Sequence, residues 1–188
     1  GLKGIVGFYI ILDNDYNDNQ ISNVDYILSV LKLIRILKLN DFKVIIGYTS
    51  TESLIYSLAN PDAITIGVYG NLKNFSVSRF IKSDGRGYPP KARLYSGKLF
   101  QWVNFEIVET IKAKYPDWKE IFNQTEYQKR SFEDDFKWHF TKPVLYKHYF
   151  KVFSNQIEKL PNSTSDRFDY LRSQFKNSLK LYKKIEDY

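Results

Sequence analysis

Residues 4–12 read GIVGFYIIL, nine positions without a charged side chain. A run this apolar, rich in β-branched and aromatic residues, is what a strand buried on both faces requires, so it predicts the central strand of a parallel sheet. Two similar runs follow, FKVIIGY at 42–48 and AITIGVYG at 63–70. Between the first and second lies ISNVDYILSVLKLIRILKL, residues 21–39. Ser22 or Asn23 is placed to cap a helix there, and apolar side chains at 24, 27, 28, 31, 34 and 37 have the spacing of a helical face. Ile21, Val30, Leu33, Ile36 and Leu39 add a second apolar flank, which calls for a second covering layer. Between the second and third runs, TSTESLIYSLAN at 49–60 opens with Thr49 and Glu52 at capping-box separation, and Asn60-Pro61-Asp62 ends it. The order is βαβαβ. Crossovers of this length join parallel strands with a right hand, which brings all three strand C-termini to one edge.

Beyond Phe80 the pattern turns helical. SGKLFQWVNFEIVETIKAKY (96–115) shows Leu99, Trp102, Val103, Ile107 and Ile111; TEYQKRSFEDDFKWHF (125–140) opens with Thr125 and Gln128 and aligns Phe132, Phe136 and Phe140. Pro143 suits the first turn of another helix, and residues 168, 171, 175, 179, 182 and 185 mark a long last one. The expected fold is therefore α/β: a parallel βαβαβ unit over residues 1–80, then a basic loop and an all-helical region over 81–188. The strand spacing resembles the closing portion of a (β/α)8 barrel, a resemblance of fold over about 80 residues that no family motif accompanies. The alternative is a small three-layer α/β domain whose C-terminal helices cover one face. The sequence contains no Met and opens almost directly on a strand-like run. Together with the broad apolar surface of 21–39, this leads us to expect a chain that is part of a longer protein or obligately paired.

With 188 residues the chain can bury one sizeable core or two small ones. No cysteine is present, which excludes disulfides, thiolate metal sites and cysteine nucleophiles. No apolar run reaches the roughly 18 to 20 residues of a membrane span, and the N-terminus lacks a signal-peptide pattern, so the expectation is a soluble, cytoplasmic protein without a membrane partner. The net charge is +7. Residues 1–80 carry seven bases and seven acids, so the whole excess falls in 81–188. That asymmetry fits a nucleic-acid partner, and the Lys, Asn, Ile, Tyr and Phe bias of an AT-rich genome accounts for it equally.

Parallel sheets place ligands at the C-terminal ends of their strands, which directs attention to residues 13–18, 48–51 and 69–74. Asp13, at the end of the first strand, is the candidate catalytic acid or base. Asp13, Asp15 and Asn17 alternate as in a calcium loop, but Asp18 replaces the turn glycine and Val24 the bidentate Glu, so no metal is assigned. Thr49, Ser50 and Thr51 offer hydroxyls beside a helix N-terminus, a setting for phosphate, or simply caps. FIKSDGRGYPPKARLYSGK, residues 80–98, supplies Arg86, Lys91, Arg93 and Lys98 as anion-binding groups, with Tyr88 and Tyr95 to stack on a base. Pro116-Asp117 and Asp135-Phe136-Lys137 imitate a metal-nuclease signature, yet both halves lie in helical pattern. His139 and His148 lack the spacing of a zinc pair, and no cofactor is assigned.

These residues lead to the expectation of a barrel-type enzyme, or part of one, that binds a phosphorylated or nucleotide-containing substrate at the C-terminal strand edge. The alternatives are a non-catalytic nucleic-acid-binding module using residues 82–98 with the helical region, and a protein-interaction domain.

Overall fold

The structure, a computed structural model, describes residues 4–13, 21, 23–67, 73, 75–81 and 90–187. The chain divides into two compact units, Gly1–Gly85 and Arg86–Tyr188. The fold is mixed α/β, with one three-stranded parallel sheet, one two-stranded antiparallel sheet and six α-helices among the described residues.

In the first unit β1 (Gly7–Ile11), β2 (Lys43–Thr49) and β3 (Ala63–Ile66) form an open sheet in that order. Both pairings are parallel, with Gly7 opposite Lys43 and Ile45 opposite Ala63. Among the described residues the sheet does not close into a barrel. Helix α1 (Val24–Leu39) links β1 to β2, and the Asn23 side chain accepts the Tyr26 N–H at its start. The connection from β2 to β3 is shorter than its sequence suggests: α2 (Ser53–Tyr56) is a single turn that runs into the 3₁₀ turn Ser57–Ala59. Asn60, with φ of 58°, stops it, because an Asn tolerates the left-handed region at little cost. Asp62 then accepts the Val44 N–H at 2.8 Å and the Lys38 ammonium at 2.6 Å, tying the start of β3 to β2 and to α1.

The expectation of a central first strand is corrected. β2 is the central strand and β1 lies at the edge, so the apolar run is only partly covered. Val30 and Ile34 of α1, Val44 and Ile46 of β2, and Tyr56 and Ala59 form one core, with Ile10 and Leu12 packed against it. Both helical connections thus cover the same face of the sheet. Because side chains alternate along a strand, Tyr9, Ile11 and Ile45 point the other way, and they are exposed, Tyr9 to 52%. On this bare face Tyr9 leans over Gly47, where a Cβ would overlap its hydroxyl. Leu33, Ile36 and Leu39 on the outer side of α1 are exposed as well.

The second unit corrects the all-helical expectation. Residues Arg93–Ser96 (β4) and Gln101–Asn104 (β5) form an antiparallel hairpin with Arg93 opposite Asn104 and Ser96 opposite Gln101. The hairpin is buried on both faces. Leu94 and Val103 join a core with Val108, Ile111, Ile121, Phe122 and Leu145. Tyr95 and Trp102, on the opposite side, pack on Tyr149 with ring centroids 5.0 and 4.6 Å away. Four helices follow the hairpin: α3 (Phe105–Lys114), α4 (Glu126–Ser131), α5 (Pro143–Glu158) and α6 (Thr164–Glu186). Pro143 stands at the start of α5, as its lost N–H favours. α4 is shorter than the aromatic stripe implies. Arg130 folds back onto Glu133 and Asp135, and Phe132 and Phe136 pack on the core from irregular chain. On α6, Leu181, Tyr182 and Ile185 pack against the core, and Ser163 caps the first turn.

Candidate functional site

The C-terminal edge of the parallel sheet is shaped by an irregularity. The pairing of β2 with β3 shifts register between Ile46 and Thr49, and Tyr48 within that shift has φ of 56°. A left-handed aromatic residue costs about 1–3 kcal/mol, and such strain collects where a loop must be aimed. The turn that follows spends two of its hydroxyls internally, while the buried Ser50 Oγ has no partner among the described residues. Thr49 Oγ1 donates to the Thr65 carbonyl at 2.9 Å and Ser53 Oγ to the Ser50 carbonyl at 2.6 Å. The capping box expected between Thr49 and Glu52 is absent; the Ser50 N–H instead donates to Glu52 Oε1 at 2.7 Å. Thr49, Ser50 and Thr51 are all buried.

Glu52 is the chemically distinctive group of this edge. It is only 7% exposed, and its second oxygen, Oε2, has no hydrogen-bond partner among the described residues. Burial in a poorly solvated site disfavours the carboxylate, which pushes the pKa of Glu52 up to about 7 against the opposing effect of the Ser50 N–H. One turn on, the Tyr56 hydroxyl is also buried, and its pKa is raised by burial first, then by the Glu52 carboxylate and by Tyr26. The Tyr26 hydroxyl donates to the Asp13 carbonyl at 3.1 Å. Asp13 also pairs with Phe75 as an isolated bridge, and its Oδ1 accepts the Val77 N–H at 3.3 Å. Tyr56 thus lies within electrostatic reach of both Glu52 and Tyr26, and Tyr26 in turn is tied to the Asp13 carbonyl at the end of β1. A carboxyl with a pKa near 7 is populated in both protonation states at neutral pH, so it can give or take a proton; Tyr56 stays a donor.

Sequence reasoning placed Asp13 and Thr49 to Thr51 at this edge and read Glu52 only as a helix cap. Thr-x-x-Glu is the signature of that cap, and burial of the Glu is what distinguishes the two roles. The one legible hint was a carboxylate set directly after three hydroxyl residues at a strand end.

Among the described residues the basic stretch does not converge. Arg86 and Tyr88 lie outside the described residues. Lys91 pairs with Glu106 at 2.8 Å, Arg93 Nε donates to Asn104 Oδ1 at 2.8 Å, and Lys98 donates to the Glu120 carbonyl at 2.6 Å. Arg93 is partly desolvated, which lowers its pKa. Arg93 opens β4 and Lys98 lies in the turn beyond it, and each is engaged by a different protein group. The stacking role expected of Tyr95 is corrected: its ring is fully buried and its hydroxyl donates to Gln156 Oε1 at 2.9 Å.

His148 is buried with Nε2 at 2.8 Å from the Tyr95 carbonyl and Nδ1 at 2.7 Å from Thr125 Oγ1, which fixes the neutral tautomer that donates from Nε2. Desolvation lowers its pKa to about 4. Asp135, half of the nuclease-like pattern, is held by Arg130. Among the described residues no cluster of three acidic or histidine side chains could hold a metal ion, and no helix is long and apolar enough to cross a membrane. No protein family, curated protein or solved structure matches the chain.

Proposed function

We propose that the C-terminal edge of the parallel sheet is an acid–base site in which Glu52 transfers a proton to or from a bound small molecule, and that the first unit is enzymatic. The observation that carries this reading is the burial of Glu52, with its pKa pushed up to about 7, at the strand edge where parallel sheets keep their ligands. Glu52 takes the acid–base role first considered for Asp13. Asp13 becomes a positioning group, whose carbonyl holds Tyr26 near Tyr56. A phosphorylated or nucleotide-containing compound remains the proposed substrate class: protonation weakens Glu52 as an acceptor and leaves the Ser50 N–H to a phosphate oxygen. The test is ligand-induced thermal stabilisation across pH with nucleotides and sugar phosphates. Binding that follows an ionisation near pH 7, and loses that dependence in Glu52→Gln, is expected. A pH dependence unchanged in the variant contradicts the proposal.

A second reading concerns assembly. Both helical connections cover one sheet face and leave Tyr9, Ile11 and Ile45 bare beside the open edge of β1. One-sided coverage is the arrangement of a βαβαβ segment of a (β/α)8 barrel, whose other face lines the barrel interior. We therefore propose that further strands or a second copy complete this sheet. Light scattering on the purified chain tests it: a stable monomer that binds no apolar dye contradicts the reading.

A further inference from the structure

Residues 172–184 of α6 read RSQFKNSLKLYKK, five bases and no acid in thirteen positions. Arg172, Lys176, Lys180, Lys183 and Lys184 are all exposed, and none forms an ion pair with a described residue. At 100° per residue these five fall within one third of the helix circumference, opposite the stripe of Leu171, Ser178 and Tyr182 that faces the core. The stripe of charge runs for about 18 Å at 1.5 Å per residue. Ser173 and Asn177 sit between the cations, and with Lys176, Leu179, Lys180 and Lys183 they line a shallow groove of about 380 Å³.

We propose that this face of α6 docks on the sugar–phosphate backbone of a nucleic-acid duplex. A duplex presents one charge per about 1.7 Å of its axis, so the stripe lies against a continuous row of phosphates rather than a single anion. Lysines, a hydroxyl and an amide are the side chains that contact phosphate without reading sequence. A single strand is the poorer match. Its bases need exposed aromatic platforms, whereas within the stripe Phe175 packs on Phe100 and Tyr182 donates to the Leu99 carbonyl, and the exposed Phe168 lies one turn before it. A membrane surface is poorer still, because an interfacial helix inserts a continuous apolar face, and here Leu181, Tyr182 and Ile185 are committed to the core, leaving Phe168 and Leu179 as the exposed large apolar side chains of the helix. The inference stands apart from the Glu52 site.

The experiment is fluorescence anisotropy of a labelled mixed-sequence duplex against the whole chain, repeated over a range of salt. Each cation that displaces a counterion contributes about −0.9 to the slope of log affinity against log salt. A Lys176→Glu/Lys180→Glu/Lys183→Glu variant is expected to bind at least roughly tenfold more weakly, with a slope flatter by about 2 to 3. A control reversing Lys137, Lys151 and Lys159, exposed cations elsewhere in the unit, carries the same net charge and is expected to keep most of the affinity. Circular dichroism establishes that both variants are folded. Equal losses in the two variants, preference for a single strand or for anionic vesicles over the duplex, or no duplex binding at low salt overturns the proposal.

Discussion

Glu52 accepts the Ser50 N–H through Oε1 at 2.7 Å while Oε2 stays buried and unpartnered among the described residues. The bond runs backward across two residues and satisfies a donor at the start of α2. It also holds the carboxyl inside the edge of the sheet, where ionisation is costly. The proposed acid–base role and a pH-dependent stability both rest on that one placement.

The folded-state pKa of Glu52 lies above its unfolded value, so the native state holds the extra proton between pH 4.5 and about 7. The contribution of Glu52 to stability is fully present below pH 4.5 and is lost as the pH rises through 7. Glu52→Gln keeps an acceptor for the Ser50 N–H and removes the ionisation. At pH 8 the variant is expected to be more stable than the wild type by up to about 3 kcal/mol, with the advantage shrinking toward pH 5. Urea unfolding followed at both pH values measures it.

His148 has the opposite sign. Its folded-state pKa of about 4 lies below the ordinary 6.5, so the unfolded chain binds more protons between those values. Stability from His148 is complete above pH 6.5 and declines as the pH falls toward 4, by up to about 3 kcal/mol. Urea unfolding of the second unit, followed through Trp102 and its neighbours, is expected to weaken across that window. His148→Ala is expected to lose about 2–5 kcal/mol at pH 7, because the Thr125 hydroxyl and the Tyr95 carbonyl lose a buried partner.

Tyr95 separates a core role from a ligand role. Tyr95→Phe removes the bond to Gln156 and is expected to cost about 1 kcal/mol, and Tyr95→Ala about 3–5 kcal/mol, through the cavity it leaves against Trp102, Tyr149 and Phe153. Thermal unfolding decides it. A neutral Tyr95→Ala would restore the stacking role.

Gly47 lets Tyr9 lie flat on the uncovered sheet face. Gly47→Ala is expected to displace the ring and destabilise the first unit by about 1–3 kcal/mol, readable as a shift in thermal unfolding. Tyr9→Ala removes the obstacle, so Gly47→Ala in that background is expected to be tolerated.

The three parallel strands were legible because GIVGFYIIL, FKVIIGY and AITIGVYG combine β-branched residues with breaks at Asn40-Asp41 and Asn60-Pro61. The cap at Asn23 and the start at Pro143 were legible for the same reason, since each is a local interaction. The hairpin at 93–104 was not. Its strands are four residues long and buried on both faces, so Leu94 and Tyr95, and likewise Trp102 and Val103, are all core residues and the alternation vanishes. Leu99, Trp102 and Val103 fall at helical spacing by coincidence. An apolar strand run likewise does not distinguish a central strand from an edge strand whose second face is bare, which is the case for β1. At the site, Thr-x-x-Glu carries the same letters whether Glu52 caps a solvated helix or is enclosed beside Tyr56. Only the enclosure separates the two.

The central claim is that Glu52 is a buried carboxyl that titrates near neutrality. Carbon-13 NMR of the glutamate side-chain carboxyls, with Glu52→Gln used to assign the resonance, tests it directly. One carboxyl absent from the variant is expected to titrate with a midpoint of about 7 in the wild type. A Glu52 resonance titrating near the ordinary 4.5 would contradict the account and remove the basis for an acid–base site at this edge.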